Sequence, residues 1–195
     1  MKGFERVERR IAHVIGHSSV TEDPTHSGNT LEWLLELDPK ADAALRIAAL
    51  GHDIERAIEG QKVRREDYPT YDAFKAAHAR KSAQILMDIL KECRVEDEPF
   101  SREVRRLVRR HEVGGDSRSD LLVDADSISY FDVNLPFYFE RNTWEETRRR
   151  CTWGYLRLSE RAKRIVTDLR HPGGELSRVM TESIEAAKSF PQRRG

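Results

Sequence analysis

The spacing of the prolines constrains the fold of this chain more than any other feature. Seven prolines divide the 195 residues, at positions 24, 39, 69, 99, 136, 172 and 191. Most segments between them carry apolar residues at intervals of three and four, which places those residues on one face of an α-helix. No segment has the alternation of a half-buried strand, and only the run FYF at 137–139 is ambiguous. The sequence therefore predicts an all-α fold.

This periodicity predicts a series of helices and two long loops. The predicted helices cover residues 4–15, 30–37, 41–51, 71–93, 101–111, 119–131, 144–166 and 176–187. Ser101 is the predicted N-cap of the fifth helix. The segment 41–51 is almost entirely apolar, so we expect it near the centre of the fold. The loops at 58–68 and 113–118 are rich in charged residues and glycine, respectively.

Length and composition fit a single helical domain spanning 1–195, with a core at about 10–130 and C-terminal helices at 141–190 packed on it. Lys plus Arg equals Asp plus Glu at 34 each, so no net charge favours nucleic acid or a membrane as a partner. The N-terminal MKGFERVERR lacks the apolar run of a signal peptide, and we expect a cytoplasmic protein. Trp144, Trp153 and Tyr155 fit either the core, which is favoured, or the interface of a homodimer.

A histidine and an aspartate follow the apolar helix directly, in AALGHDIER. Consecutive side chains on a helix diverge, so His52 and Asp53 can reach one ion only if it lies against the helix end. An imidazole and a carboxylate suit a divalent cation, although a structural hydrogen bond between the two is the usual role of such a pair. Gly51 allows another element to approach closely here.

Four further ligand-type positions lie on other predicted elements. His26 is expected in the turn before the second helix, His78 within the long helix and His111 at the end of the fifth. Asp124 and Asp126 belong to the run DADSIS. The order is H, HD, H, H, D. In this order, and most specifically in AALGHDIE and DADSIS, the chain resembles the HD superfamily of metal-dependent phosphohydrolases, helical proteins, over roughly residues 10–130.

The resemblance implies a first metal ion held by His26, His52, Asp53 and Asp126. Asp126 matches the last ligand of the superfamily better than Asp124, which is then a capping or supporting carboxylate, and the choice between them stays open. The ion could be Mn, Co, Ni, Fe, Zn or Mg.

His78 and His111 match members that hold a second ion, in which the first aspartate bridges the two. The structural alternatives are a hydrogen bond between helices for His78 and a helix C-terminal cation for His111. We expect catalytic roles for Asp53 and Glu55, the latter as a general acid or base, for which His78 and His111 are also candidates. One ion or two remains open.

The positive charges near the pair HD are candidate contacts for a phosphate: Arg56, Lys62, Arg64 and Arg65. The sequence departs from the marked branches of the superfamily here. Where some members read HDIGK, this chain has Glu55 and Arg56. The nucleotidases carry a glutamate three residues after the aspartate, whereas Glu55 follows Asp53 by two.

The predicted function is hydrolysis of a small phosphate ester of the nucleotide class by a metal-bound hydroxide. The phosphorylated substrate is the only expected partner besides a second copy. Two alternatives stay open. A few relatives with this ligand order hold two irons and use oxygen. A helical domain of this type could also bind metal or nucleotide without catalysis.

Overall fold

A computed structural model of the chain describes residues 2–189. Within this range the chain forms ten α-helices, three short 3-10 turns and one π-helical turn, with no strand. The predicted all-α fold is confirmed, and whether the bundle is of the HD type stays a prediction. None of the helices in the described part of the chain is long and apolar enough to span a bilayer.

The helix bounds are as follows. The α-helices are α1 (Lys2–Ile15), α2 (Asp23–Leu37), α3 (Ala43–Gly51), α4 (Tyr71–Glu92), α5 (Glu98–Arg110), α6 (Ser117–Ser129), α7 (Leu135–Arg141), α8 (Trp144–Leu156), α9 (Glu160–Asp168) and α10 (Gly174–Ser189). The 3-10 turns are Ile54–Ala57, Glu59–Gln61 and Arg65–Asp67, and the π-helical turn is Tyr130–Asn134.

Five predicted helices agree with the structure to within two residues at each end, namely α1, α3, α4, α6 and α10. The apolar segment 41–51 is α3, and the long segment 71–93 is α4. The start of α4 is fixed by Thr70, whose Oγ1 accepts a hydrogen bond from the backbone N–H of Ala73 at 3.1 Å. An N-cap of this kind pairs one of the backbone donors that the first turn of a helix leaves unsatisfied.

The expected starts of α2 and α5 were wrong, and proline is the reason in both cases. Pro24 and Pro99 lie in the first turns of these helices, where a missing N–H costs no hydrogen bond. Helix α2 therefore begins at Asp23, and His26 lies in the helix rather than in a turn before it. The N-cap of α5 is Asp97, which accepts from Phe100 N at 2.9 Å, and Ser101 lies inside the helix.

The C-terminal third also differs from the prediction. The predicted helix 144–166 is two helices, because Ser159 caps α9 by accepting a hydrogen bond from Ala162 N at 3.2 Å. The predicted helix 119–131 ends at Ser129 and continues as the π-helical turn. The ambiguous run at 137–139 is part of α7.

The chain divides into two compact units, residues 1–126 and 127–195. In the first unit, α3 packs against α1, α2 and α5, and α4 packs against α5. Ile47, Ala48 and Ala49 of α3 are fully buried, which confirms that this helix is central to its unit. In the second unit α8 packs against α7 and α10, with Tyr155 buried and Trp153 40% exposed. The single-domain interpretation stays a prediction.

We predict that Gly51→Ala destabilises the protein, because the last residue of α3, Gly51, packs directly against the side chain of Leu86. A Cβ at position 51 would lie 2.6 Å from Leu86 Cδ2 and 2.9 Å from Cδ1, and Leu86 is fully buried. Overpacking of this kind costs about 1–3 kcal/mol, which outweighs the roughly 1 kcal/mol by which alanine favours a helix. Urea unfolding measures the difference.

The matched control is Gly28→Ala in α2, where nothing lies within 4 Å of an added Cβ. This substitution should leave stability unchanged or raise it. Equal unfolding midpoints for the two variants would contradict the close packing of α3 on Leu86.

Candidate metal centre

Six ligand-type side chains of the first unit come together at the ends and inner faces of five helices. His26 lies on α2, His78 on α4 and Asp126 on α6. His52 and His111 occupy the C-cap positions of α3 and α5, and Asp53 follows His52. All six are residues that the sequence singled out. Their roles as metal ligands stay a prediction.

The first group of candidate ligands is formed by His26, His52 and Asp53, each of which offers one atom within 4.8 Å of the others. Asp126 adjoins this group, since its Oδ1 lies 3.3 Å from Nε2 of both His26 and His52. Asp126 is thus the residue of α6 that contacts these two histidines. Asp124 is buried nearby in sequence at 8% exposure.

The second group consists of Asp53, His78 and His111. Asp53 Oδ1 lies 2.8 Å from His78 Nε2 and 3.7 Å from His111 Nε2. The same oxygen is 3.6 Å from His52 Nε2. Asp53 is therefore common to both groups, and its role as a carboxylate that bridges two ions, which the resemblance implies, stays a prediction.

Three of the histidines are anchored through Nδ1, on the side away from the cluster. His52 Nδ1 donates to Ala49 O at 2.9 Å, and His111 Nδ1 donates to Val108 O at 2.7 Å. A carbonyl can only accept, so the proton in each bond belongs to Nδ1. Each carbonyl lies in the last turn of a helix, where the backbone leaves acceptors without partners.

His78 is held by a carboxylate instead. Its Nδ1 lies 2.6 Å from Glu55 Oε1, and Glu55 is almost fully buried. Metal-binding histidines in proteins commonly donate their second ring N–H to a carboxylate or a backbone carbonyl, which fixes the orientation of the ring. The arrangement leaves Nε2 of all three rings facing the cluster.

The carboxylates raise the pKa values of two of these histidines. Burial lowers the pKa of His52, but Asp53 and Asp126 outweigh it and raise the pKa to about 9. For His78, burial is outweighed by Asp53 and Glu55, and the pKa rises to about 10. His111 differs, because burial, together with the positive charge of His52 and His78, lowers its pKa by more than Glu112 and Asp53 raise it.

The two aspartates remain anionic in this surrounding. Burial would raise the pKa values of Asp53 and Asp126, but the nearby histidines hold both well below the usual range. The cluster thus carries fixed negative charge in a largely buried place, and it stabilises positive charge there, whether a proton or a cation.

The donor set fits a divalent cation. Imidazole nitrogens and carboxylate oxygens together suit borderline first-row metals such as Mn, Fe, Co, Ni or Zn. His52 Nε2 is buried and finds no hydrogen bond of good geometry among the described residues, although Asp126 Oδ1 lies 3.3 Å away. A buried polar atom without a hydrogen bond is costly, and coordination of a cation would satisfy it.

Arg56 contacts one carboxylate of the cluster and one carboxylate beside it. Its guanidinium lies 3.0 Å from Asp53 Oδ2 and 3.1 Å from Asp23 Oδ1. Burial would lower the pKa of Arg56, but these two carboxylates raise it above its usual value. Arg56 therefore balances the charge of Asp53, and its contact to a phosphate stays a prediction.

The other three predicted phosphate contacts lie on the loop after the cluster. Lys62 and Arg64 are 3.7 Å and 3.9 Å from the carboxylates of Glu59 and Glu66, and Arg65 donates to Tyr68 O at 2.6 Å. Arg64 and Arg65 are exposed. Their role toward a substrate is also a prediction.

Sequence reasoning missed two residues beside the cluster, Asp23 and Lys75. Asp23 holds Arg56 and accepts a hydrogen bond from Ser18 Oγ at 2.7 Å. Lys75 is buried one helical turn before His78, with Nζ 3.8 Å from Glu112 Oε2. Glu112 Oε1 is in turn 3.9 Å from His111 Nε2. The spacing of three between Lys75 and His78 was a usable signal, since such residues share a helix face.

The comparisons with known proteins give a family without an assigned activity. No match was found among curated proteins, and none was found among solved structures. The sequence matches the family described as Domain of unknown function (DUF4202) over residues 10–179, a range that includes all six cluster residues. The chain belongs to the DUF4202 family.

Proposed function

We propose that this protein is a metal-dependent phosphohydrolase with an HD-type helical core, acting on a small phosphate ester of the nucleotide class. One observation carries the proposal. Three imidazoles have Nδ1 anchored outward, and their Nε2 atoms lie 2.8–3.7 Å from the single oxygen Asp53 Oδ1. A hydrogen-bonded core has no need of so many buried titratable groups, since each is costly to desolvate.

The residues divide into two proposed cation positions that share Asp53. The first is formed by His26, His52, Asp53 and Asp126, and the second by Asp53, His78 and His111. The histidines come from helices α2 to α5, so the geometry depends on the packing of the whole first unit.

A divalent cation in such a site makes a coordinated water acidic enough to ionise near neutral pH and offsets the charge of a phosphate. The protein residues serve this chemistry by position. With a cation bound at Nε2, the Nδ1–H bonds of His52 and His111 would hold the one remaining ring proton on the side away from the cluster. Arg56 occupies Asp53 Oδ2 and leaves Oδ1 directed at the histidines.

The substrate approaches, in this proposal, from the side of the loop at 58–68. The exposed cations Arg64 and Arg65 and the half-buried Lys62 supply positive charge for a phosphate. A small pocket lined by His26, His52 and Asp53, together with Asp23 and Ala57, adjoins the first position.

We predict that Asp126→Asn removes the cation from the first position, whereas Asp124→Asn does not. Both aspartates lie on α6, but the contacts at 3.3 Å to His26 and His52 come from Asp126. Changes of residues that merely support a ligand weaken metal binding by roughly 10–100-fold, so loss of a ligand should exceed that range. Equilibrium dialysis against Mn²⁺, followed by metal analysis, measures the stoichiometry and the Kd.

The pair of variants tests the site on matched chemistry, since both exchange one carboxylate for an amide. Equal metal content in Asp126→Asn and the wild type would contradict the first position. Loss of metal only in Asp124→Asn would transfer the ligand role to Asp124.

We predict that the Mn²⁺-loaded protein hydrolyses nucleoside monophosphates and that His78→Ala lowers the bound metal from two ions to one. The second position loses one of its two imidazoles in this variant, while the first keeps all its ligands. A panel of phosphate monoesters and diesters with phosphate release as the readout measures activity, and metal analysis measures the count.

Three results would overturn the proposal in different ways. One ion per chain in both proteins would remove the second position. Purified protein containing two irons, with oxygen uptake and no phosphate release, would favour the oxidative alternative. Bound metal without turnover of any ester in the panel would favour a binding domain.

A further inference from the structure

Glu55 is a carboxylate that joins two parts of the first unit. It lies in the 3-10 turn Ile54–Ala57 and is 1% exposed. Its Oε1 lies 2.6 Å from His78 Nδ1 on α4, and its Oε2 accepts from the backbone N–H of Val63 at 2.7 Å. Its own backbone N–H donates to Ser82 Oγ, one turn after His78, at 3.4 Å. Each oxygen of this buried group therefore has one donor, and the two donors belong to different elements.

The donor from Val63 determines where the charged loop lies. Val63 stands between Lys62 and Arg64, two of the proposed phosphate contacts. No regular helix holds this segment: a single 3-10 turn precedes it at Glu59–Gln61 and another follows at Arg65–Asp67. The bond to Glu55 is thus one attachment of the loop centre to the buried part of the unit, beside the packing of the turn Arg65–Asp67 on α4.

The donor from His78 determines which way the imidazole faces. With Nδ1 on Glu55, Nε2 lies 2.8 Å from Asp53 Oδ1, in the second proposed cation position. A buried carboxylate that loses a hydrogen-bond partner is strongly destabilised. The orientation of His78 and the attachment of Val63 therefore depend on the same charged group.

We propose that Glu55 is a positioning residue that couples cation binding at the second position to docking of the loop at 58–68. The inference rests on the proposed metal centre. A cation that holds His78 Nε2 fixes the ring with Nδ1 on Glu55, which fixes Oε2 toward Val63 N. By linkage, a loop held at Val63 favours the cation to the same extent.

This role differs from the general acid or base expected from the sequence. Both oxygens of Glu55 already accept hydrogen bonds, and the side chain is buried behind His78 rather than open to a substrate. A catalytic Glu55 would affect turnover without affecting the loop. A positioning Glu55 affects both metal affinity and the loop, and the two roles are separable by measurements that need no substrate.

Limited proteolysis with trypsin tests the coupling, because the loop carries cleavage sites at Lys62, Arg64 and Arg65. The probe is Co²⁺ alone, and mass spectrometry follows the fragment that ends at Arg65. In the wild type, Co²⁺ should slow this cleavage by about tenfold or more. This matches the roughly 10–100-fold by which residues that hydrogen-bond to a metal ligand alter metal affinity. In Glu55→Gln, which offers a single acceptor oxygen for two donors, the protection should be lost.

Dialysis against Co²⁺ gives the second readout. Glu55→Gln should weaken the second ion by roughly 10–100-fold and leave the first unchanged. The control is Glu59→Gln, which removes the same charge from an exposed side chain of the same loop. It should behave as the wild type in both measurements.

The reciprocal test leaves Glu55 in place. Val63→Pro removes the N–H that Glu55 Oε2 accepts, and Lys62, at φ −62° and ψ 127°, already has the backbone conformation required before a proline. Val63→Pro should expose Arg64 and Arg65 to trypsin, while the bond between Lys62 and the new proline itself resists the enzyme, and it should weaken binding of the second Co²⁺. Val63→Ala, which keeps the donor, should do neither. If Val63 only stabilised the loop, its substitution would not weaken binding of the second Co²⁺ while leaving binding of the first unchanged.

The outcomes separate this inference from the proposed function. A wild type that binds no Co²⁺ overturns the metal centre and this coupling with it. Two bound ions with equal protection of the loop in the wild type, Glu55→Gln and Val63→Pro overturn the coupling alone. If Glu55→Gln fails to fold, the Val63 pair decides the question.

Discussion

The half-buried carboxylate of Asp53 is the group on which the centre of the first unit depends. Its Oδ1 faces His52, His78 and His111, and its Oδ2 is held by Arg56. An anion placed among helix ends must be compensated, because the protein interior solvates charge poorly. Three histidines, one arginine and the helices that carry them are arranged around this requirement.

The ends of α3 and α5 meet the requirement by the same device. Each helix has a histidine at its C-cap whose Nδ1 donates to the carbonyl three residues before it. The bond gives a hydrogen bond to a carbonyl in the last turn of each helix, where acceptors lack their full set of intrahelical partners. It also selects which ring nitrogen faces inward. Helix termination and the orientation of these two candidate ligands are therefore one interaction, and the arrangement of the cluster cannot be separated from the stability of the two helices.

The sequence predicted those parts of the fold that local signals determine. The bounds of α3 and α4 followed from dense apolar periodicity, and the cluster residues followed from the order of histidines and aspartates. The start of α2 did not follow, because Pro24 reads equally well as a stop before a helix and as a residue of its first turn. The break at Ser159 was hidden by apolar periodicity that continues on both sides of it.

The parts of the site that the sequence could not predict are pairings between elements. Arg56 is of the residue type that contacts phosphates, but the packing of α2 brings it a second carboxylate partner, Asp23. Glu55 is of the residue type that acts as a general acid or base, but the two hydrogen-bond donors to its carboxylate come from α4 and from the loop. The residue type limits what a side chain can do, and the tertiary partner decides which of these roles it has.

The pairing of Arg56 has a consequence for any anion that binds near Asp53. A guanidinium between two carboxylates, 3.0 Å and 3.1 Å away, already has its charge offset. A phosphate that recruited Arg56 would deprive Asp23 of its guanidinium partner and leave Asp53 to the histidines alone, and a buried carboxylate such as Asp23 is strongly destabilised in that state. A cation bound at Asp53 would relieve part of this cost, because it would replace the charge that Arg56 gives up. We therefore expect metal binding to precede any contact between Arg56 and a phosphate, and the loop cations to act without that condition.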